Sequence, residues 1–145
     1  MADLSEKLDA EKEFIERFLW DLEDVLSREE YSPVEAAAVA AFLQRIYCGI
    51  ENMLACLLDD VNALPQKSLN WHRDVLNIAA SKGIIKEWLA VELSEYMAFR
   101  QFFAHGRGYV PEEAPVKHMA GNMSNVWTEY YKQVEEYLRT TRKKA

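Results

Sequence analysis

Arg100 and His105 are the residues of this chain best suited to carry chemistry. They lie five positions apart in the string Phe99-Arg100-Gln101-Phe102-Phe103-Ala104-His105-Gly106-Arg107-Gly108-Tyr109. A histidine titrates near neutral pH, so it can take a proton from a ribose 2′-hydroxyl or give one to a leaving oxygen. An arginine stays charged and offers a planar fork to phosphate oxygens, which stabilises negative charge as it grows in a transition state. Together they suit phosphodiester cleavage in RNA without metal or cofactor. The 2′-hydroxyl would be the internal nucleophile and a 2′,3′-cyclic phosphate the product. The motifs of other chemistries are absent: there is no phosphate-binding glycine loop, HExxH, CxxC pair or GxSxG.

Spacing constrains the pair. Five residues of ideal helix turn through about 500°, which leaves the two side chains about 140° apart. A straight helix cannot aim both at one phosphate. Either the helix breaks at Gly106 and turns His105 back, or two protomers pool their residues in a symmetric cleft. On residue types alone His105 also fits a plainer role, as a cation at a helix C-terminus. The aromatic neighbourhood of Tyr96, Phe99, Phe102 and Phe103 predicts a buried helix contact. His118, near the start of the last helix, is expected to be exposed.

The elements that must position these residues read as helices throughout. Residues 3–28 place Leu4, Leu8, Phe14, Ile15, Phe18, Leu19, Leu22, Val25 and Leu26 at mostly three- and four-residue steps. Ser32-Pro33-Val34-Glu35 combines a capping serine, proline at the first helical position and glutamate three residues on, so it starts a second helix that runs to about Leu58. Its run Ala36–Ala38, Ala40 and Ala41 invites a close helix approach. A polar connection from Asp59 to Asn70 leads to a short helix, Trp71 to Ala80, ended by Ser81-Lys82-Gly83. A third long helix is predicted from near Ile84 to His105, then a loop marked by Gly106, Gly108, Pro111 and Pro115, and a last helix over 116–142. The fold class is therefore all-α: an antiparallel up-down bundle of four long helices plus one short helix, with residues 1–145 forming a single domain.

Composition agrees with a helical protein: five glycines, four prolines and 50% hydrophobic residues. The net charge of −7 looks unfavourable for a nucleic-acid partner. All of it comes from residues 1–30, where eleven acidic residues face four basic ones; the remainder carries thirteen of each sign. A large non-specific basic groove is disfavoured. No apolar run approaches the ~18 residues of a membrane span, and no signal peptide is visible, so a cytoplasmic protein without a membrane partner is expected. Cys48 and Cys56, on one helix, would lie about 12 Å apart by helical rise. A disulfide needs Cα atoms within ~7 Å, so both are expected to be free thiols.

Arg-x4-His followed by tyrosine resembles the signature of the HEPN ribonucleases, and Phe99-Arg100-x-Phe102-Phe103-x-His105 is similar to the HepT-like toxin branch. Trp71-His72-Arg73-Asp74-Val75-Leu76 resembles the short helix that precedes the catalytic helix in that branch, and Glu51-Asn52 resembles its central helix. The likeness spans roughly residues 35–140. It implies a HEPN-like bundle, a homodimer with the cleft on its two-fold axis, and RNA as substrate. It also implies a toxin–antitoxin pairing in which a minimal nucleotidyltransferase silences the toxin, in related systems by adenylylating the motif tyrosine. On that footing Arg100 and His105 are the catalytic candidates. Arg107, Tyr109 and His72 are substrate-binding candidates, Tyr109 is the candidate modification site, and Glu51 is a support for Arg100. The family motif is His-x-Tyr; here Arg107 occupies the tyrosine position and Tyr109 follows two residues later. That departure motivates an alternative, a degenerate HEPN domain that binds RNA, nucleotide or a partner without cleavage.

Overall fold

Five helices follow one another in the computed structural model, which describes residues 3–104 and 113–143: α1 (Leu4–Leu26), α2 (Pro33–Asp60), α3 (Trp71–Ser81), α4 (Glu87–Ala104) and α5 (Glu113–Lys143). Among the described residues there is no strand. This is the all-helical, HEPN-like arrangement of four long helices and one short one. No helix among the described residues is long and apolar enough to cross a membrane.

The helix starts have identifiable causes. Asp3 caps α1 by accepting from the Glu6 amide at 2.8 Å. Ser32 and Glu35 close a reciprocal capping box at α2: the Glu35 amide donates to Ser32 Oγ (3.1 Å) and the Ser32 amide to Glu35 Oε1 (2.9 Å). Together these bonds satisfy two amides that would otherwise lack partners. Arg28 pins the turn before α2 by pairing with both Glu35 and Asp24.

The end of α3 explains the main departure from the expected helix limits. Gly83 takes a positive φ of 76°, the left-handed conformation that glycine adopts without steric cost. The Gly83 amide donates to Ala80 O (3.1 Å) and the Ile84 amide to Ala79 O (3.0 Å), the paired bonds of a Schellman motif. The Ile84 amide is thus committed to α3, and Ile84 and Ile85 are buried as plugs. So α4 begins at Glu87, three residues later than the sequence suggests. The other departure is Pro115, expected in a loop but lying in the first turn of α5. A proline is tolerated there because first-turn amides have no intrahelical partner.

α2 is the central element and packs against each of the other four helices. It buries Val39, Leu43, Ile46, Tyr47, Ile50, Met53, Leu54, Leu57 and Leu58. The contacts α1 makes with α2 run in reverse order: Glu11 reaches Asn52, and Ile15 reaches Gly49. α4 and α5 are also antiparallel, since Lys86 meets Gln133, Glu92 meets Asn122 and Tyr96 meets Met119. The tight approach of α1 to α2 sits at Gly49, two turns beyond the alanine run. A Cβ there would lie 2.5 Å from Ile15 Cγ1. α5 buries Val116, Ala120, Met123, Trp127, Tyr130 and Val134 at alternating four- and three-residue steps. Tyr130 sends its hydroxyl to the backbone carbonyl of Ile50, 3.0 Å away inside the bundle.

Two outcomes follow. Ile15 is fully buried and cannot swing aside, so Gly49→Ala should cost about 1–3 kcal/mol by overpacking, seen as a lower urea midpoint; an unchanged midpoint would place α1 elsewhere. Burial also pushes the Tyr47, Tyr96 and Tyr130 phenols above the ordinary value of 10.0, Tyr96 to about 12. A raised folded value means the native state holds the proton more tightly than the unfolded chain. The contribution is therefore intact below pH 10 and lost as pH rises through the folded values. Stability measured by urea unfolding should fall between about pH 10 and 12, and Tyr96→Phe should shallow that fall.

Candidate functional site

Three helices bring their polar residues to one place. Arg100 lies on α4 four residues before its last described residue, Glu51 at the middle of α2, and His72 on the first turn of α3. The short α3 matters here: Trp71 is buried, and its ring meets the His72 imidazole edge-on at 5.1 Å and 84°. Lys67 lies over the other ring of this pair, 3.9 Å from the Trp71 centroid. The indole thus fixes where the imidazole can go.

Glu51 is buried, with 4% of its surface exposed. Its Oε1 lies 2.7 Å from His72 Nδ1, and His72 Nε2 lies 3.4 Å from Arg100 Nη1. Arg100 Nε donates to Cys48 Sγ at 3.3 Å. An arginine can only donate, so the lone pair of His72 must be on Nε2. The Nδ1–H then points at Glu51. The result is a directed row, Glu51 to His72 to Arg100, with Cys48 steadying the guanidinium from α2. Glu51 supports Arg100 through His72 rather than by a direct ion pair.

Tyr47, one helical turn before Glu51, stands behind the row. Burial and then the negative charge of Glu51 push its phenol upward. Neither the Tyr47 hydroxyl nor Glu51 Oε2 completes a hydrogen bond among the described residues. The cluster therefore packs a carboxylate, a phenol, an imidazole and a thiol around one half-buried guanidinium. Two of the five Arg100 donors are used in holding it, and Nη2 has no partner among the described residues. A guanidinium held along one edge, with Nη2 unpartnered among the described residues, is suited to bind a phosphate oxygen.

The other sequence candidates fall differently. His105, Arg107 and Tyr109, with Gly106 and Gly108, lie outside the described residues, as do the side chains of Phe102 and Phe103. Tyr96 is buried and Phe99 partly so. His118 is exposed, as expected. Both cysteines are free thiols. Cys48 and Tyr47 are the members of the cluster that sequence reasoning missed. Among the described residues no group of three or more histidines, cysteines and carboxylates is placed to hold a metal ion. A groove of about 610 Å³ between α3 and α4 is lined by Arg73, Asn77, Ser94, Met97 and Ala98 among others and includes none of the cluster residues. A separate cleft of about 480 Å³, between α1 and α5, shares none of the cluster residues.

The family model for HepT-like proteins matches residues 38–141, which takes in Glu51, His72 and Arg100. This chain belongs to the HepT-like family, a HEPN-type domain. No curated protein and no solved structure matches it significantly. The matched span begins within the first turns of α2 and does not take in α1. The cluster lies within the matched span, on the faces of α2, α3 and α4 turned toward one another.

The row makes an energetic claim. His72→Ala, Glu51→Gln and the double variant should show a coupling of about 0.5–3 kcal/mol in urea unfolding, because each single change strands the other partner inside the fold. Strict additivity would mean that Glu51 and His72 do not support one another.

Proposed function

We propose that this HepT-like chain is a metal-independent endoribonuclease and acts as the toxin of a toxin–antitoxin pair. The observation that carries the reading is the fixed Arg100 guanidinium, anchored by His72 and Cys48 with Nη2 uncommitted among the described residues. Rigid placement is what lets a cation stabilise transition-state charge without reorganising during the reaction. In this reading Arg100 binds the scissile phosphate and His105 transfers a proton. The ribose 2′-hydroxyl attacks phosphorus, leaving a 2′,3′-cyclic phosphate and a free 5′-hydroxyl. The need for that hydroxyl makes RNA, not DNA, the substrate.

The arrangement fits a homodimer in which two such sites face one cleft. Arg107 adds a second cation for the substrate backbone, and Tyr109 is the residue on which a minimal nucleotidyltransferase antitoxin would place an adenylyl group. The shift of that tyrosine by two positions favours a second reading, a HEPN domain that binds RNA without cutting it.

Incubation of the purified protein with RNA in excess EDTA separates the two. Wild-type protein should cut RNA to cyclic-phosphate ends and leave DNA of the same sequence intact. Arg100→Ala should lower the rate by about 10²–10³-fold, and His105→Ala by about 10²–10⁴-fold. RNA binding without cleavage by the wild type would establish the second reading instead.

A further inference from the structure

We propose that the groove between α3 and α4 is a nucleobase site, and that it takes an adenine of the RNA strand whose phosphate rests on Arg100. The inference rests on the reading above that Arg100 holds an RNA phosphate, and it adds a choice of base.

The groove holds about 610 Å³, within the ~300–1,000 Å³ of small-molecule sites. A helix is about 10 Å across, so this space would seat less than about two turns of one. That is too little for a helical protein segment and ample for one base. Small residues make the room: Ala80 on α3, with Ala90, Ser94 and Ala98 on α4. Leu76 and Met97 are buried and give it an apolar floor.

One end of the groove leads to the polar row. His72 meets Arg100 across α3 and α4, and the Gly83 turn joins the opposite ends of the two helices, so they run antiparallel. Leu76 stands four residues after His72 and Met97 three before Arg100, and residues so spaced on a helix are neighbours on one face. No residue of the row lines the groove, yet both walls continue into the row within one turn. A base attached to a phosphate on Arg100 therefore has the groove within one turn of it.

The charges run the right way for a strand that lays its backbone at that end. Arg73, exposed and next to His72, lies at the mouth, where it can meet the neighbouring phosphate. Glu87 lies at the far end, beside the turn, and repels phosphate there. Only the uncharged base is drawn inward.

The polar groups on the two walls favour adenine. Asn77 is exposed on α3 and spends no side-chain hydrogen bond among the described residues. Its amide sets an acceptor beside donors, the pattern that pairs with adenine N6 and a ring nitrogen. The Ser94 hydroxyl donates to Val91 O, so its oxygen is left to accept, and the second N6 hydrogen can meet it. Guanine and uracil carry a carbonyl where adenine has this amine. Cytosine has the amine on a smaller ring, which covers less of the apolar floor.

The test uses the full chain and 2′-fluoro tetranucleotides of A, C, G or U, which lack the nucleophile and so bind without being cut. Fluorescence anisotropy should show the A oligomer bound tightest, by about 5-fold or more over U. Asn77→Ala should bring A and U within about 2-fold of each other. Arg100→Ala should weaken all four together and keep the preference. Ala98→Trp, which fills the groove from an exposed position, should weaken A most. Asn77 and Ala98 are exposed, so circular dichroism and Tm should report a kept fold in both variants. Equal binding of the four oligomers, binding of none, or a preference for A that survives Asn77→Ala overturns the assignment. So does a changed oligomeric state of Ala98→Trp in size-exclusion chromatography, which would make the groove a contact between protein chains. Cleavage of ordinary RNA is read separately. If wild type cuts RNA but binds the four oligomers alike, the groove assignment alone fails. If wild type prefers A and cuts nothing, the ribonuclease reading fails and the groove stands.

Discussion

A carboxylate in the middle of a helical bundle must find a partner, because an isolated buried charge is far more costly than the stability a domain has to spare. Glu51 sets that requirement here. It sits on the helix that touches every other helix, and its described partner is His72. Meeting the requirement draws the first turn of α3 against α2. The imidazole then presents its second nitrogen to α4, and this fixes Arg100. The polar row is thus a consequence of one buried charge and the order in which three helices can approach it. Breaking such a pair by removing one partner is expected to cost more than the pair contributes, since the other group is left stranded.

The apolar packing makes this possible. α1 lies close enough to α2 at Gly49 that no side chain fits between them, and α5 covers another flank with Tyr130 anchored to Ile50 O. With two sides of α2 held by these long helices, its remaining side is left to α3 and α4. The Schellman motif at Gly83 sharpens the geometry. It stops α3 after eleven residues and turns the chain so that Ile84 and Ile85 plug the core before α4 begins. Gln133, buried on α5, accepts the Lys86 amide at 2.7 Å and so registers the start of α4 against α5. The position of Arg100 along α4 is therefore set at both ends of the problem: by the Lys86–Gln133 bond at the start of the helix and by the residues that grip the guanidinium.

Most of this fold was legible in the sequence because its signals are local. The capping box at Ser32 and Glu35, the three–four steps of α1 and α5, and the glycine after α3 each announce themselves within a few residues. The start of α4 was misplaced because Ile84 and Ile85 look like the first apolar positions of a helix. Only the long-range commitment of the Ile84 amide to α3 excludes them. Pro115 was assigned to a loop on composition, although a first-turn proline satisfies the same sequence. The cluster was less legible. Arg100 came from its residue chemistry beside His105, His72 from resemblance to a family, and Glu51 was noticed without its mode of contact. A signal was present: Glu51 lies four residues after Tyr47 and three before Leu54, interrupting an otherwise apolar stripe. A charge there is more informative than any number of exposed ones. Cys48 gave no such signal, since a small thiol in an apolar helix is ordinary.

The orientation of Arg100 also bears on how many groups the chemistry requires. Its guanidinium is turned toward α2 and α3, where Cys48 and His72 hold it, and α4 continues as helix to Ala104. Continued as a regular helix, position 105 would project about 140° away from position 100. A phosphate bound by Arg100 would then lie on the His72 side of the helix. A proton donor at position 105 must come to that phosphate by a turn of the chain beyond Ala104 or from a second protomer, whereas His72 is already within one hydrogen bond of Arg100.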